Sequence, residues 1–415
     1  MNEKMGLPLV GVKVLELSQI MAGPTCGLML ADMGADVIKV EKFPGGDDAR
    51  DYRKPGDMGI PPPFLMLNRG KRSLALDIRQ PRGKEVLKRM VRHTDILTEN
   101  FRVGTMERLG LGFDVLSKEN PELVYCAISG YGRQGPLAQK GGFDLVLQAF
   151  SGLISVTGQP GKPAKTGNSV ADINAGLLAA FGSLAAYIAR LKTGRGQRVD
   201  TSLLQSSMQQ MAWFAAAYFS KGVVAEPMGT AHPLIAPYQA FRTADGMLVL
   251  GGANHANWTR ITQVLGHGEW LEDERFATSS SRVANREVLA TLIERELAKD
   301  TTAAWLSRFD EAGVPAGPVN NVAQALEHEQ SRAAGMVIDV ALPGGGTTRS
   351  LGSAVHVGGT PHAATGPAPL LGQHTSEVLQ QFGFQLDEIS RLVEEGTVYQ
   401  AAFDLDQQDG DTHES

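Results

Sequence analysis

The sequence predicts an α/β protein, a large doubly wound domain followed by a smaller α+β domain. Three observations lead there. Apolar strand-like runs alternate with helical runs through the first half of the chain. Glycine is abundant, 48 of 415 residues, as many tight strand–helix turns require. Beyond about Gly229 the texture changes to a hairpin pattern followed by helices. A composition of 42% hydrophobic and 20% charged residues is that of a globular chain able to bury a sizeable core.

The elements follow in order. Val12–Ser18 ("VKVLELS") reads as a buried strand ending in a Gly23–Pro24 turn. Pro24 suits a first helical position, and the helix runs through "TCGLMLADM" until Gly34 ends it. Ala35–Lys42 is the next strand, followed by strand "SLALDI", helix "PRGKEVLKRMVRH", strand "DILTENF" and strand "LVYCAISGY". Such βαβ units imply a parallel, open, Rossmann-like sheet. Phe43–Pro63, rich in Gly, Pro and charge, reads as a long functional loop. A short strand "QRVDTS" then leads into one helix, "LLQSSMQQMAWFAAAYFS". The large domain is expected over residues 1–215 and the small one over 229–330. In the latter, "HPLIAPYQAFRTADGMLVLGG" forms a hairpin turning at Asp245–Gly246, with helices at Arg286–Lys299 and Thr302–Ala312. The acidic end, "DLDQQDGDTHES", reads as a frayed tail.

Several function classes are disfavoured. A net charge of −6 argues against a nucleic-acid surface, which needs a basic face. Two cysteines make no disulfide framework and point to a reducing, cytoplasmic setting. Lys13 and Glu16 interrupt the first apolar stretch, so it fails as a signal core. The most apolar helix candidate, Ala175–Ala189, is shorter than the ~20 residues of a membrane span. The first strand–helix turn lacks G-x-G-x-x-G, which disfavours a dinucleotide site. No G-x-S-x-G elbow, phosphate-binding P-loop or metal-ligand spacing occurs.

Chemistry-bearing residues gather near the carboxyl ends of the predicted strands, where open α/β sheets bind ligands. Ala22 and Gly23 follow the first strand, Lys42 the second and Arg79 the third. Asn100, Phe101 and Arg108 follow the fourth, and Lys140 precedes Phe143. Singly these cations read as surface charge; converging on one crevice, they suit a ligand with several phosphates. Asp172, in "NSVADINAG", stands at the mouth of an Ala/Leu-rich helix. It reads either as an N-cap or as a catalytic carboxylate steadied by helix N–H groups that keep it ionised.

The stretches "VKVLELSQIMAGPTCGLMLADMGADVIKVEK", "NRGKRSLALDI", "LTENFRVGTMERLGL" and "KTGRGQRVD" strongly resemble the family III CoA-transferases. So do "HPLIAPYQAFRTADG", "AGVPAGPVNNVAQAL" and "LLGQHTSEVL", and the likeness runs from about Val10 to Phe384. The resemblance implies a catalytic aspartate at Asp172. It implies coenzyme A (CoA) contacts at Met21, Ala22, Lys42, Arg79, Asn100, Phe101, Arg108 and Lys140. Met21 stands where a glutamine can occur, and Lys42 and Arg79 exchange the type of cation. Related racemases carry Gly-His-Asp where this chain has Gly142-Phe143-Asp144; phenylalanine cannot move a proton, which disfavours two-base racemisation.

The implied reaction moves CoA from an acyl-CoA, succinyl-CoA or similar, to a small carboxylic acid through aspartyl anhydride and aspartyl-CoA thioester intermediates. CoA is a substrate there, with no permanently bound cofactor and no metal. The small Ala175 and Gly176 would let the thioester approach. The resemblance also implies a homodimer of interlocked chains, residues 331–415 returning to the large domain. Nucleic acid and membrane are not expected partners. Two other readings stay open: an isomerase using Asp172 as a base, and a non-catalytic CoA-binding protein.

Overall fold

Side-chain alternation along the first strand sets up the layers of the larger unit. In β1 (Lys13–Leu17), Leu15 and Leu17 enter one apolar cluster and Val14 enters another. The two clusters lie on opposite faces of one sheet, as the pleat dictates. The computed structural model describes residues 6–52, 60–343, 345–358 and 366–401. After β1 come α1 (Ala22–Asp32), β2 (Asp36–Glu41), α2 (Pro62–Asn68), β3 (Arg72–Leu76), α3 (Pro81–Val91) and β4 (Ile96–Glu99). Then follow α4 (Thr105–Leu109), α5 (Phe113–Glu119), β5 (Val124–Ser129), α6 (Asp144–Phe150) and α7 (Val170–Thr193). β6 (Arg198–Ser202), α8 (Leu203–Gln210) and α9 (Ala212–Lys221) complete this run.

Further elements come from the far end of the chain: the hairpin β7 (Val337–Ala341) and β8 (Thr347–Leu351), then α10 (Thr375–Gln381), α11 (Leu386–Glu394) and β9 (Val398–Tyr399). The sheet order is β9-β3-β2-β1-β4-β5-β6. All neighbours are parallel except β9, which runs antiparallel along the edge of β3. The order reverses between β1 and β4, so the loops after these two strands diverge and leave a crevice.

Small residues govern the α1 face. Ala171, Ala175, Gly176, Ala179, Ala180, Ser183 and Ala186 form the buried stripe of α7. A Cβ on Gly176 would lie 2.4 Å from the Ala22 carbonyl oxygen, so α1 and α7 meet backbone to backbone. The 24-residue α7 is longer than the sequence pattern suggested, and by length and composition alone it is apolar enough to cross a membrane. Its buried stripe is used against α1 and the sheet as a core helix.

Other departures from the sequence reading have local causes. The helix expected over residues 203–220 is two helices, because Met211 takes φ −84° and ψ 6° and ends the first. The loop after β2 contains a 3₁₀ turn at Asp48–Asp51, capped by the Asp47 side chain, and α2 already begins at Pro62. Residues 53–59 of that loop and the acidic tail lie outside the described residues.

The larger compact unit comprises residues 1–153, 166–223 and 332–415, and the smaller one residues 154–165 and 224–331. Residues 154–165, expected in the first domain, belong to the second because their hairpin accepts the Gly229 N–H at Gly158. The smaller unit has an antiparallel sheet of Tyr238–Arg242, Met247–Gly251 and Ala316–Pro318. Its core gathers Trp258, Phe276, Ile293 and Phe309.

Candidate active site

The crevice at the switch point is built by the loops after β1 and β4. Asn100 clamps the first of them: its Oδ1 accepts the Gln19 N–H at 2.9 Å and its Nδ2 donates to the Gln19 carbonyl at 2.8 Å. Met21 and Ala22 then open α1 toward the crevice.

One cleft of about 580 Å³ is lined by Met21, Ala22, Asn100, Phe101, Lys140 and Asp172, together with Arg102 and Phe143. A second, of about 340 Å³, has apolar walls from Leu17, Val40, Leu76, Ile78 and Leu109, with Lys42 and Arg79 on its lining. Gln19 and Phe101 line both, so the two clefts adjoin. Arg108 lines neither. It is exposed on α4 beside Thr105, a residue of the second cleft, and donates to its hydroxyl. The exposed cations are not all free: Lys42 pairs with Asp48, and Arg79 with Asp77 at 2.9 Å.

Asp172 is not the cap of its helix. It occupies the third helical position of α7, after Ser169 as N-cap. The capping oxygen is Oδ1 of Asp144, which accepts the N–H groups of Ala171 at 2.8 Å and Asp172 at 3.3 Å. Gln148 fixes Asp144 in turn, its Nε2 donating to Oδ2 at 2.6 Å. With the nearest N–H groups already taken, helix N–H groups do not keep the Asp172 carboxyl ionised. Burial, and next the charge of Asp144, push it up to about 7. That is the reverse of the sequence expectation. Neither Asp144 nor Arg102 was singled out from the sequence, because their meeting with Asp172 depends on where loop and helix cross.

Asp48 also lines the first cleft, and Glu41, Asp47 and Asp77 line the second; Glu99, at the end of β4, is buried and lines neither. Its Oε2 accepts the Phe101 N–H at 2.8 Å, and burial pushes it to about 7. Among the described residues no group of three or more His, Cys, Asp or Glu side chains could hold a metal ion. The site therefore offers the partly exposed Asp172 carboxylate, a cation-bearing wall and apolar cleft walls. That set suits acyl or CoA chemistry on a long phosphorylated ligand.

A shift of this kind has a testable consequence. A nucleophilic Asp172 must be ionised, so kcat/KM of the free enzyme is expected to rise with pH through the region of 7. Asp144→Asn keeps an oxygen for the two N–H groups but removes the negative neighbour. Its acid limb should move to lower pH, which a kcat/KM–pH profile reads directly.

The fold and the site agree with sequence comparison. A model of CoA-transferase family III matches residues 9–375. A protein of Fusarium pseudograminearum named acyl-CoA transferase is 39% identical over 402 residues, covering 94% of this chain and 88% of its own. The succinate–glutarate CoA-transferase of Agrobacterium fabrum is 37% identical over 381 residues, covering 90% and 95%. The crystal structure of a CaiB/BaiF family protein from Brucella suis aligns with TM-score 0.81 at 38% identity, over 90% of this chain and 99% of that one. The chain belongs to CoA-transferase family III, and it is an enzyme of that class.

Proposed function

We propose that the enzyme exchanges CoA between succinyl-CoA, or a similar acyl-CoA, and a small free carboxylic acid, with Asp172 as nucleophile. The reading rests on one observation above the rest: Asp172 lines a cleft that adjoins an apolar cleft carrying Lys42 and Arg79. An Asp172 oxygen attacks the thioester carbonyl, the C–S bond breaks, and CoA leaves as thiolate from a mixed anhydride. The thiolate attacks the Asp172 carboxyl carbon, releasing the donor acid and leaving an aspartyl-CoA thioester. The acceptor carboxylate attacks that carbon, giving a second anhydride and freeing the thiolate again. The thiolate takes the acceptor acyl group and restores the Asp172 carboxylate. A carboxylate is a poor nucleophile toward a thioester, so CoA-binding energy must stabilise these intermediates.

A dicarboxylic acceptor is favoured by Arg102 and Lys140, which put positive charge on the lining of the cleft that holds Asp172. An acceptor's second carboxylate would meet it there. Incubation with acyl-CoA, borohydride reduction and peptide mapping tests the mechanism: Asp172 should be recovered as the alcohol. An isomerase would instead exchange solvent deuterium at the α-carbon without any acceptor acid.

Two further outcomes are expected. Neutralising Lys42, Arg79, Arg108 or Lys140 singly should weaken CoA binding by roughly 1–3 kcal/mol, as a charge-assisted hydrogen bond is lost; calorimetry reads this. The larger unit also leaves Phe143, Phe181 and Phe219 at 78%, 71% and 84% exposure, at the N-cap of α6, on α7 and on α9. Large exposed apolar side chains on neighbouring helices suit burial by a second copy. Dilution should therefore yield no folded monomer, as sedimentation at nanomolar protein would reveal.

A further inference from the structure

In and beneath the wall of the second cleft lies a group of charged side chains that take no part in the proposed steps; only Glu41 and Asp47 among them reach the lining. Glu16, Lys39, Glu41, Asp47, Arg50 and Lys71 are all buried. Lys39 Nζ lies 3.0 Å from Glu16 Oε1 and 2.8 Å from Asp47 Oδ2, and Lys71 Nζ lies 2.8 Å from Glu16 Oε2. Arg50 pairs with Glu41 at 2.7 Å, and Glu41 accepts the Asp47 N–H at 3.1 Å. Three acids face three bases, so the charge is balanced within the group. Burying such pairs brings little net stability compared with apolar residues, and their arrangement needs another account.

That account is in the backbone they grip. Lys39 donates to the Ser18 carbonyl at 2.9 Å. Asp47 Oδ1 accepts the Ile20 N–H at 3.0 Å and the Ala49 N–H at 2.9 Å. Lys71 donates to the Pro24 carbonyl at 2.9 Å. Asn100 takes both backbone groups of Gln19. Apart from the Ala49 N–H, every one of these bonds lands on the segment between β1 and the first turn of α1. Within it, Ile20 has φ +66° and is the one non-glycine residue with positive φ among the described residues. A β-branched side chain is a true outlier there, and it persists only where its surroundings over-determine it. The turn is followed at once by Met21 and Ala22, which line the cleft with Asp172.

We infer that Asp47 and Lys39, acting with Lys71 and Asn100, are positioning residues of the transferase site. They lock the strained turn at Ile20 so that Met21, Ala22 and the start of α1 face the acyl-CoA cleft. The inference rests on the reading of that cleft as a CoA site. Asp47 is the decisive member, since it alone holds the N–H of the strained residue while bridging to Lys39.

The test compares wild type with Asp47→Ala and Asp47→Asn, each measured for thermal unfolding, CoA affinity by calorimetry, and kcat and KM. Asp47→Ala releases the Ile20 and Ala49 N–H groups. It should raise the CoA dissociation constant and the KM for acyl-CoA at least tenfold. Asp47→Asn still offers an oxygen to both N–H groups and should recover most of that loss, although it removes the charge partner of Lys39. A role in folding alone would lower the melting temperature of both variants without separating their CoA affinities. Folded Asp47→Ala protein with CoA affinity and KM within twofold of wild type would overturn the inference, as would equal losses in the two variants. Should Asp47→Ala not fold, hydrogen exchange on the wild type decides. An Ile20 amide protected like those of β1 supports the lock, and one exchanging at the rate of an open loop overturns it. Wild-type protein that binds no CoA would instead refute the reading of the cleft.

Discussion

Asp172→Asn is expected to fold, to bind CoA and to lose CoA exchange by on the order of 10³-fold or more, the scale seen when a covalent nucleophile is removed. The structure separates the two roles an aspartate at this helix could have. The cap belongs to Asp144, whose bonds to the Ala171 and Asp172 N–H groups do not involve the Asp172 side chain. The substitution therefore leaves the first turn of α7 intact while removing the attacking oxygen. A stability signature should accompany the loss. The Asp172 carboxyl titrates near 7 in the folded protein and near about 3.9 when unfolded. Folding thus favours the neutral form, and the ionised form is a penalty that is absent below both values and complete above both. Wild-type stability should fall relative to Asp172→Asn as pH rises from about 4 to about 7. Urea melts at the two ends of that window measure it. A fully active Asp172→Asn enzyme would remove the residue from the mechanism.

Gly176→Ala should produce the second large effect, from a single methyl group. Alanine is the better helix former by about 1 kcal/mol, so propensity alone predicts a gain. Geometry opposes it. The new Cβ would stand 2.4 Å from the Ala22 carbonyl oxygen and 2.6 Å from Thr25 Cβ. The first of these is backbone and cannot swing aside, so α1 must move. Overpacking of this kind costs about 1–3 kcal/mol, sometimes more, and outweighs the propensity term. Because Ala22 is the residue displaced, the cleft changes shape with it. Misplacement of about 1 Å can cost 10²-fold in rate. A lower urea midpoint together with a lower kcat is the expected pair of results; unchanged kcat would show that α1 yields without disturbing the site.

The glycine also shows where sequence reasoning reached its limit. Small residues after Asp172 suggested room for a thioester, yet Ala175 and Gly176 are buried in the packing of α7. Periodicity identifies a small-residue face but not what presses against it. The strands were legible because each carries a short, mostly apolar run, and β1 to β5 fall where those runs do. The break at Met211 was not, since an apolar helical pattern continues across it. Lys42, Arg79, Asn100, Phe101 and Lys140 were found by their places near strand ends and Asp172 by its place at a helix mouth, and all six line one or other of two adjoining clefts. The role of Asp144 escaped because it reaches Asp172, 28 positions along the chain, through space, a relation no linear spacing announces.

The two-residue strand β9 has a consequence for how the protein is made. It pairs with β3, whose last residue is Leu76, yet its own residues are Val398 and Tyr399. On a ribosome the partner arrives roughly 15–65 s later, at about 5–20 residues per second. Throughout that interval the growing polypeptide carries an open sheet margin able to recruit a stray strand. Residues 224–331 emerge within the same wait and can condense around their own tryptophan-rich centre. Ribosome-bound fragments ending before Val398 should therefore be the species that depend on chaperones, and pairing of Val398 and Tyr399 with β3 the event that frees them.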